Sequence, residues 1–256
     1  MLHERPMSAL RALIVSVGGL LAAQATVLDQ AVGFQMEDWA VDDAEVGPTF
    51  LVSLGGKLYD DLWTVLDQEP PPGANPAFPV ANLYSNRDSW RCVSCHGWDY
   101  SGVEIGETRF PSLQDLKSID PLVIAEKIRA ARHPFPADQV SELTLTLLGA
   151  FISEGQYRGD WFFGADGRAS GDPIAGQAIF EGACINCHQI DGRRYLNGER
   201  GDKSSLGWVI RNRPSQALHK ILNGVPGTEM LSLRFLADTQ IADLLAYLQT
   251  LDPVER

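Results

Sequence analysis

The chain has 256 residues and a net charge of −12 at pH 7, with 33 acidic side chains against 21 basic ones. Residues 1–25 contain two arginines and one glutamate, a net +1, so the remaining residues stand at −12 minus +1, or −13. A surface this acidic argues against nucleic acid or anionic lipid as a partner. It favours partner proteins with basic docking patches.

Residues 1–25 have the layout of a secretory signal peptide. Arg5 and Arg11 precede an apolar run over residues 12–23, and an A-x-A-like cleavage site closes the run at Ala25. The run is shorter than the roughly 20 residues that span a bilayer, and no cysteine follows it to carry a lipid. We therefore predict a periplasmic protein without stable membrane insertion of the mature chain.

An acidic segment and a helix come next. Residues 26–49 lack clear periodicity, and we expect an extended N-terminal arm. A helix is predicted over residues 50–66, because leucine recurs at every fourth position there, at Leu54, Leu58, Leu62 and Leu66. The proline-rich stretch over residues 69–76 cannot continue that helix.

Two copies of one motif organise the chain: Cys92-Val93-Ser94-Cys95-His96 and Cys184-Ile185-Asn186-Cys187-His188. Cys-x-x-Cys-His is the spacing of c-type haem attachment. On one helical turn, two thiols can add to the vinyl groups of a porphyrin, and the following histidine can bind the iron. A thioredoxin-like pair or a zinc site would leave that histidine unexplained.

The motifs use all four cysteines of the chain. We expect two covalently attached haem c groups, with iron as the metal. Their attachment residues are Cys92, Cys95, Cys184 and Cys187, and their first iron ligands are His96 and His188.

Further helices are predicted after each motif. Residues 119–131 form a helix opened by Asp120-Pro121, and residues 137–153 form another with a regular apolar stripe. Residues 157–173 are rich in glycine and aspartate and form the predicted linker. Three more helices are expected over residues 175–180, 214–223 and 238–251.

This pattern predicts an all-α fold. The two motifs are 92 residues apart (184 minus 92), which suits two domains of ordinary size. We expect two tandem helical domains, residues 50–156 and residues 174–256, each built around one covalently bound haem. Domains this small have a modest core, and a covalently held haem would stabilise it.

The second half resembles a class I cytochrome c domain. The resemblance rests on Gly176-Gln177-Ala178-Ile179-Phe180, the second haem motif, the loop from Asn223 to Met230, and Ala246-Tyr247-Leu248. It covers nearly all of residues 174–252 and implies Met230 as the sixth ligand of the second iron. The first half resembles the family only at its motif and final helix. It has a proline-rich insertion and lacks a methionine in the corresponding loop.

The remaining donors suggest a sixth ligand for the first iron. Outside the signal peptide and the motifs, the chain has His133, His219, Met36 and Met230. His133 lies in the loop before the last helix of its half, as Met230 does in the other, so we predict it opposite His96. The alternatives are Met36, an open position, or a surface role for His133. His219 is in mid-helix, and we expect it to be structural or exposed.

These ligand sets predict electron transfer. Methionine–histidine ligation raises the potential of a haem, so a bis-histidine first haem would pass electrons to the second. With both irons six-coordinate, we expect a carrier or the electron-transfer subunit of a larger redox enzyme, and no catalytic residue. The alternative is a two-haem enzyme, peroxidase-like or acting on sulfur compounds, with an open or labile first haem. A haem-based sensor of CO or NO would also need an accessible iron.

Overall fold

The computed structural model describes residues 47–79, 86–130, 133–194 and 204–255. Ten α-helices lie within these ranges: α1 (Pro48–Val65), α2 (Cys92–His96), α3 (Pro121–Arg129), α4 (Glu142–Glu154), α5 (Gly159–Phe162), α6 (Pro173–Ala183), α7 (Ile185–His188), α8 (Leu206–Asn212), α9 (Pro214–Asn223) and α10 (Asp238–Leu248). A hairpin of β1 (Glu104–Ile105) and β2 (Thr108–Arg109) pairs Glu104 with Arg109 and Ile105 with Thr108. The structure is mainly helical, as predicted.

The predicted signal peptide lies outside the described residues, as does the predicted N-terminal arm up to residue 46. Within the described ranges, no helix combines the length and the apolar character that crossing a membrane requires.

The first half of the chain, residues 48–156, packs α1 across α4 and α3 beside α4. Its core includes Leu58, Tyr59, Leu62, Trp63, Trp90, Tyr100, Ile124, Leu148 and Phe151. Helices α1 and α4 approach so closely that a Cβ at Gly55 would overlap the carbonyl oxygen of Leu147. Only glycine fits this crossing, because any side chain would meet backbone.

The second half, residues 157–255, packs α6 across α10, with α8 and α9 beside them. Its core is formed by Phe162, Phe180, Ile210, Leu218, Leu222, Ile241, Leu244, Leu245 and Leu248. A Cβ at Gly176 in α6 would overlap the carbonyl oxygen of Asp243 in α10. A glycine therefore lets two long helices cross in each half, α1 and α4 in the first and α6 and α10 in the second.

Side-chain caps explain where several helices begin. The helix predicted from residue 137 begins only at Glu142, because the Ser141 hydroxyl accepts a hydrogen bond from the N–H of Thr144. The helix predicted over residues 214–223 is observed with the same bounds. Short helices without an apolar repeat, α5 and α8, were not predicted.

The helix predicted over residues 119–131 is observed at Pro121–Arg129. Its position is confirmed, and the helix is two residues shorter at each end than predicted. The Asp120 carboxylate accepts a hydrogen bond from the N–H of Leu122 at 2.8 Å. This is the N-cap that the Asp-Pro pair predicts, with proline in the first turn.

Residues 157–173, the predicted linker, are folded against the second half. Phe162 is 3% exposed and lies in the second core. The side chain of Gln249 accepts a hydrogen bond from the N–H of Ala169 at 2.9 Å and donates one to the carbonyl of Gly167 at 2.8 Å. The segment is therefore an ordered arm held at the end of α10.

The helix crossing in the second half yields a stability prediction. Gly176→Ala should lower the free energy of unfolding by about 1–3 kcal/mol, because the new methyl group would be forced into the backbone of α10. Gly182 in the same helix has open space where a Cβ would be. Gly182→Ala should therefore stabilise the protein by about 0.5–1 kcal/mol through helix propensity.

Urea unfolding of the haem-loaded protein, followed by circular dichroism, measures both changes. Equal effects of the two substitutions would contradict the observed crossing.

Candidate haem-binding sites

Both Cys-x-x-Cys-His motifs form a single helical turn, α2 in the first half and α7 in the second. Each turn ends on a residue with positive φ: Gly97 has φ 77° and ψ 164°, and Gln189 has φ 63° and ψ 164°. A non-glycine residue such as Gln189 adopts this conformation only where its surroundings hold it. The backbone therefore adopts the same conformation directly after each motif histidine.

Three of the four motif cysteines, Cys92, Cys95 and Cys184, are not built as reactive thiols. Cys92 packs against the first core and Cys184 against the second. Burial raises the pKa of the Cys92 thiol to about 12, and raises the pKa values of Cys95 and Cys184 to about 11. Reactive and metal-bound thiolates need a lowered pKa instead.

The cysteine pairs belong to separate sites. In the described part of the chain, no group of three or more histidine, cysteine or carboxylate side chains is gathered around one point. A shared zinc site, which would need the two pairs to converge, does not match this arrangement. The two cysteine pairs therefore stand apart from each other.

His96 is a buried, neutral imidazole. Its side chain is 9% exposed, and its Nδ1 lies 3.0 Å from the carbonyl oxygen of Pro111. Because a carbonyl only accepts, Nδ1 carries the proton and Nε2 keeps its lone pair. Burial lowers the pKa of His96. The imidazole is therefore uncharged at neutral pH, which is the form that binds a metal.

His133 faces His96 from the loop between α3 and α4. The centroids of the two rings are 6.2 Å apart, and their planes are inclined by 34°. An imidazole nitrogen binds a metal at about 2.0 Å and lies roughly 1 Å from its ring centre, so two imidazoles across one metal are about 6 Å apart. The observed separation fits a single iron between the rings.

Electrostatics also keep His133 neutral. Burial lowers the pKa of its imidazole, and the nearby His96 lowers it further. The backbone carbonyls of Lys127 and Ile128 act in the opposite direction. A second neutral imidazole beside His96 is what bis-histidine ligation of an iron requires.

Aromatic packing holds the His133 ring in place. Phe135 stacks on it with centroids 6.1 Å apart and planes inclined by 12°. The ring centroid of Phe135 in turn lies 6.4 Å from that of Trp63 and 6.4 Å from that of Trp90. The backbone N–H of His133 donates to the carbonyl of Ala130 at 3.0 Å. The stacking of Phe135 on His133 was not predicted, although the sequence shows an aromatic residue two positions after the histidine.

Trp63 supplies a further test of fit. The side chain is 0% exposed, and its Nε1–H has no hydrogen-bond partner within the described residues. The Nε1–H of Trp90, in contrast, donates to the carbonyl of Gly73 at 3.0 Å. A buried donor without a partner costs about 1–3 kcal/mol. An acceptor brought by a bound group, such as a haem propionate, would satisfy it.

The second motif turn and Met230 both pack against the second core. His188 on α7 is half-buried, and burial lowers the pKa of its imidazole. Met230 is also half-buried and packs against the second core, as do Cys184 and Ile185. The N–H of Met230 donates to the hydroxyl of Thr228 at 3.2 Å, which fixes the end of the loop after α9.

His219 is a buried structural residue, which is one of the two alternatives that we predicted for it. It is 0% exposed, and its Nε2 donates to the carbonyl of Gly56 at 2.9 Å. Its Nδ1 accepts from the hydroxyl of Tyr100 at 3.1 Å. Both ring nitrogens are used, so neither can bind an iron. Met36, the other alternative ligand, lies outside the described residues.

Residues 174–252 match the family model for cytochrome c. The resemblance of the second half to that family is confirmed, and the match supports a c-type cytochrome with covalently bound haem c and a role in electron transfer. The match covers less than half of the chain and does not reach the first motif. Among curated proteins, none matches the chain.

Buried His219 yields a prediction for the pH dependence of stability. Burial lowers the pKa of His219 to about 4, Lys220 and Arg234 act in the same direction, and Asp60 opposes them. The unfolded chain, with an ordinary value of about 6.5, binds the proton first. Stability is therefore lost as the pH falls from about 6.5 towards 4, by on the order of 3 kcal/mol.

The matched variant is His219→Gln, which cannot titrate. Urea unfolding near pH 7 and near pH 4 should show a larger loss of stability in the wild type than in the variant. The same loss in both proteins would contradict a buried, neutral His219.

Proposed function

We propose that this protein is a periplasmic two-haem c-type cytochrome that transfers electrons between redox partner proteins. It acts either as a soluble carrier or as the electron-transfer subunit of a larger redox enzyme. The observation that carries this proposal is the facing pair of His96 and His133, 6.2 Å apart, in the half that the family model does not cover.

The architecture of the first half supports a second cytochrome c-like domain. Its helices α1 and α4 cross at Gly55, as α6 and α10 of the second half cross at Gly176. Its motif turn ends at Gly97 with nearly the same backbone angles as the second turn at Gln189. Residues 50–156 would then form one domain and residues 174–256 the other.

In the first domain, Cys92 and Cys95 would attach the haem, and His96 and His133 would bind its iron. In the second domain, Cys184 and Cys187 would attach it, and His188 and Met230 would bind its iron. When bound, each haem supplies an iron that takes up or gives away one electron. The neutral imidazoles need not lose a proton to bind.

The difference in ligands gives the transfer a direction. A thioether ligand such as Met230 raises the potential of a haem, whereas a second imidazole such as His133 does not. Electrons would therefore enter at the first site and leave from the second. The acidic surface, with a net charge of −13 after residues 1–25, favours partners with basic docking patches over nucleic acid.

The fixed position of His133 favours a carrier over a catalyst. A peroxidase-like site would have to release this ligand to admit a substrate. Its ring is stacked on Phe135, which packs on the buried pair of Trp63 and Trp90. Withdrawing His133 would disturb that aromatic packing, so the first iron stays six-coordinate.

Carbon monoxide binding tests the ligand assignment. The fully reduced wild type should bind no CO, because both irons have two protein ligands. His133→Ala should bind one equivalent, and Met230→Ala should bind one equivalent at the other haem. The double variant should bind two. CO titrations followed by visible spectroscopy measure these numbers, and CO binding by the wild type would contradict six-coordination.

Haem content tests the second haem independently of its ligands. The wild type should contain two haems per chain in a pyridine haemochrome assay. The variant Cys92→Ala/Cys95→Ala should retain one covalent haem, because attachment at the first motif needs both thiols. One haem in the wild type would contradict the two-haem proposal.

A further inference from the structure

The two halves meet at a buried carboxylate. Asp60 in α1 is 1% exposed. Its carboxylate accepts a hydrogen bond from the Nζ of Lys220 in α9, at 2.8 Å, and pairs with the guanidinium of Arg91. Arg91 immediately precedes Cys92, and its Nε also donates to the Asp60 carbonyl at 2.6 Å. One carboxylate therefore links the second half to the start of the first motif turn.

A tyrosine links the second half to the other end of the same turn. The hydroxyl of Tyr157 lies 2.6 Å from the carbonyl oxygen of Trp98 and 2.7 Å from that of Ser215. Trp98 follows His96 by two residues, and Ser215 is in the first turn of α9. The hydroxyl proton is shared between one acceptor from each half.

The contact continues along α1 and α9. His219 donates to the carbonyl of Gly56 and accepts from Tyr100. A Cβ at Gly56 would overlap the side chain of Asn223, so the helices pack without room between them. Farther along, Arg234 donates to the carbonyl of Gly155 at 2.9 Å. Tyr100 and His219 are buried and hydrogen-bonded across the boundary, which makes separation costly.

We infer that Asp60, Tyr157 and His219 are positioning residues that hold the two haem sites in one fixed relative placement. Electrons then pass from one haem site to the other without any movement of one half against the other. The inference rests on the proposed two-haem function. Each transfer moves one electron from a ferrous to a ferric site, and no bond is made or broken and no proton moves.

Two further features support a fixed placement. Relative motion of domains within one chain is the default unless a large and hydrophobic interface opposes it. Here the segment that joins the halves is itself packed on the second core through Phe162. The bonds to Arg91 and Trp98 also bracket the first motif, so displacement of the second half would pull on the haem-binding turn itself.

Reversing the charge of Lys220 tests the inference. Lys220→Glu places a carboxylate against the buried Asp60, and like charges in an interface cost several kcal/mol. The ratio of undocked to docked molecules should rise roughly 100-fold or more. The matched control is Lys117→Glu, which makes the same charge change at an exposed position of the first half.

Pulsed EPR on the oxidised two-haem protein measures the distance between the irons. We expect one narrow distance in the wild type and in Lys117→Glu. The Lys220→Glu variant should show a broad distribution and a slower, viscosity-dependent electron transfer between its haems, with two haems still bound. A broad distribution in the wild type would overturn the inference.

Tyr157→Phe removes only the shared hydroxyl and leaves the charges in place. It should broaden the distance distribution less than Lys220→Glu does. Narrow distances in both variants, with two haems bound, would overturn the inference while leaving the proposed function intact. A single haem per wild-type chain would instead overturn the proposed function.

Discussion

The distance between two imidazole rings is the constraint on which the first site depends. His96 sits on a motif turn, and His133 sits in a loop more than thirty residues later, yet their centroids are 6.2 Å apart. That gap suits one iron and is set by the packing of α1, α3 and α4. Phe135 connects the loop to the buried tryptophans of the core. The helices therefore serve the site by fixing where the second imidazole stands.

The two halves have a similar arrangement of helices and motif turn, but their candidate second iron ligands differ. In each, a glycine lets two long helices cross, and a motif turn ends on a residue with positive φ. In each, the loop before the last helix carries the candidate second ligand, His133 or Met230. An imidazole in place of a thioether at that position would change the potential of the proposed haem within a similar scaffold. The proposed direction of electron flow follows from this one difference.

Local rules predicted much of this structure. Motif spacing placed the cysteines and histidines on helical turns, and the Asp120-Pro121 pair marked the start of α3, because these signals depend on neighbouring residues only. His133 was nominated by counting the available donors. The start of α4 was missed because the cap of Ser141 outweighed the apolar pattern before it.

Contacts between segments that are distant along the chain could not be predicted from the sequence. Nothing near Asp60 shows that it would face Arg91 and Lys220, since that depends on how the two halves dock. The burial of His219 between α1 and α9 has the same origin. An isolated histidine in mid-helix carries no signal that separates a surface position from an interface.

The near-infrared magnetic circular dichroism of the oxidised protein tests the central claim most directly, because charge-transfer bands in that region report the axial ligands of low-spin ferric haem. The account predicts two bands of equal weight, one of the bis-histidine type from His96 and His133 and one of the histidine–methionine type from His188 and Met230. In His133→Ala only the first band should disappear. A single histidine–methionine band in the wild type would contradict the account.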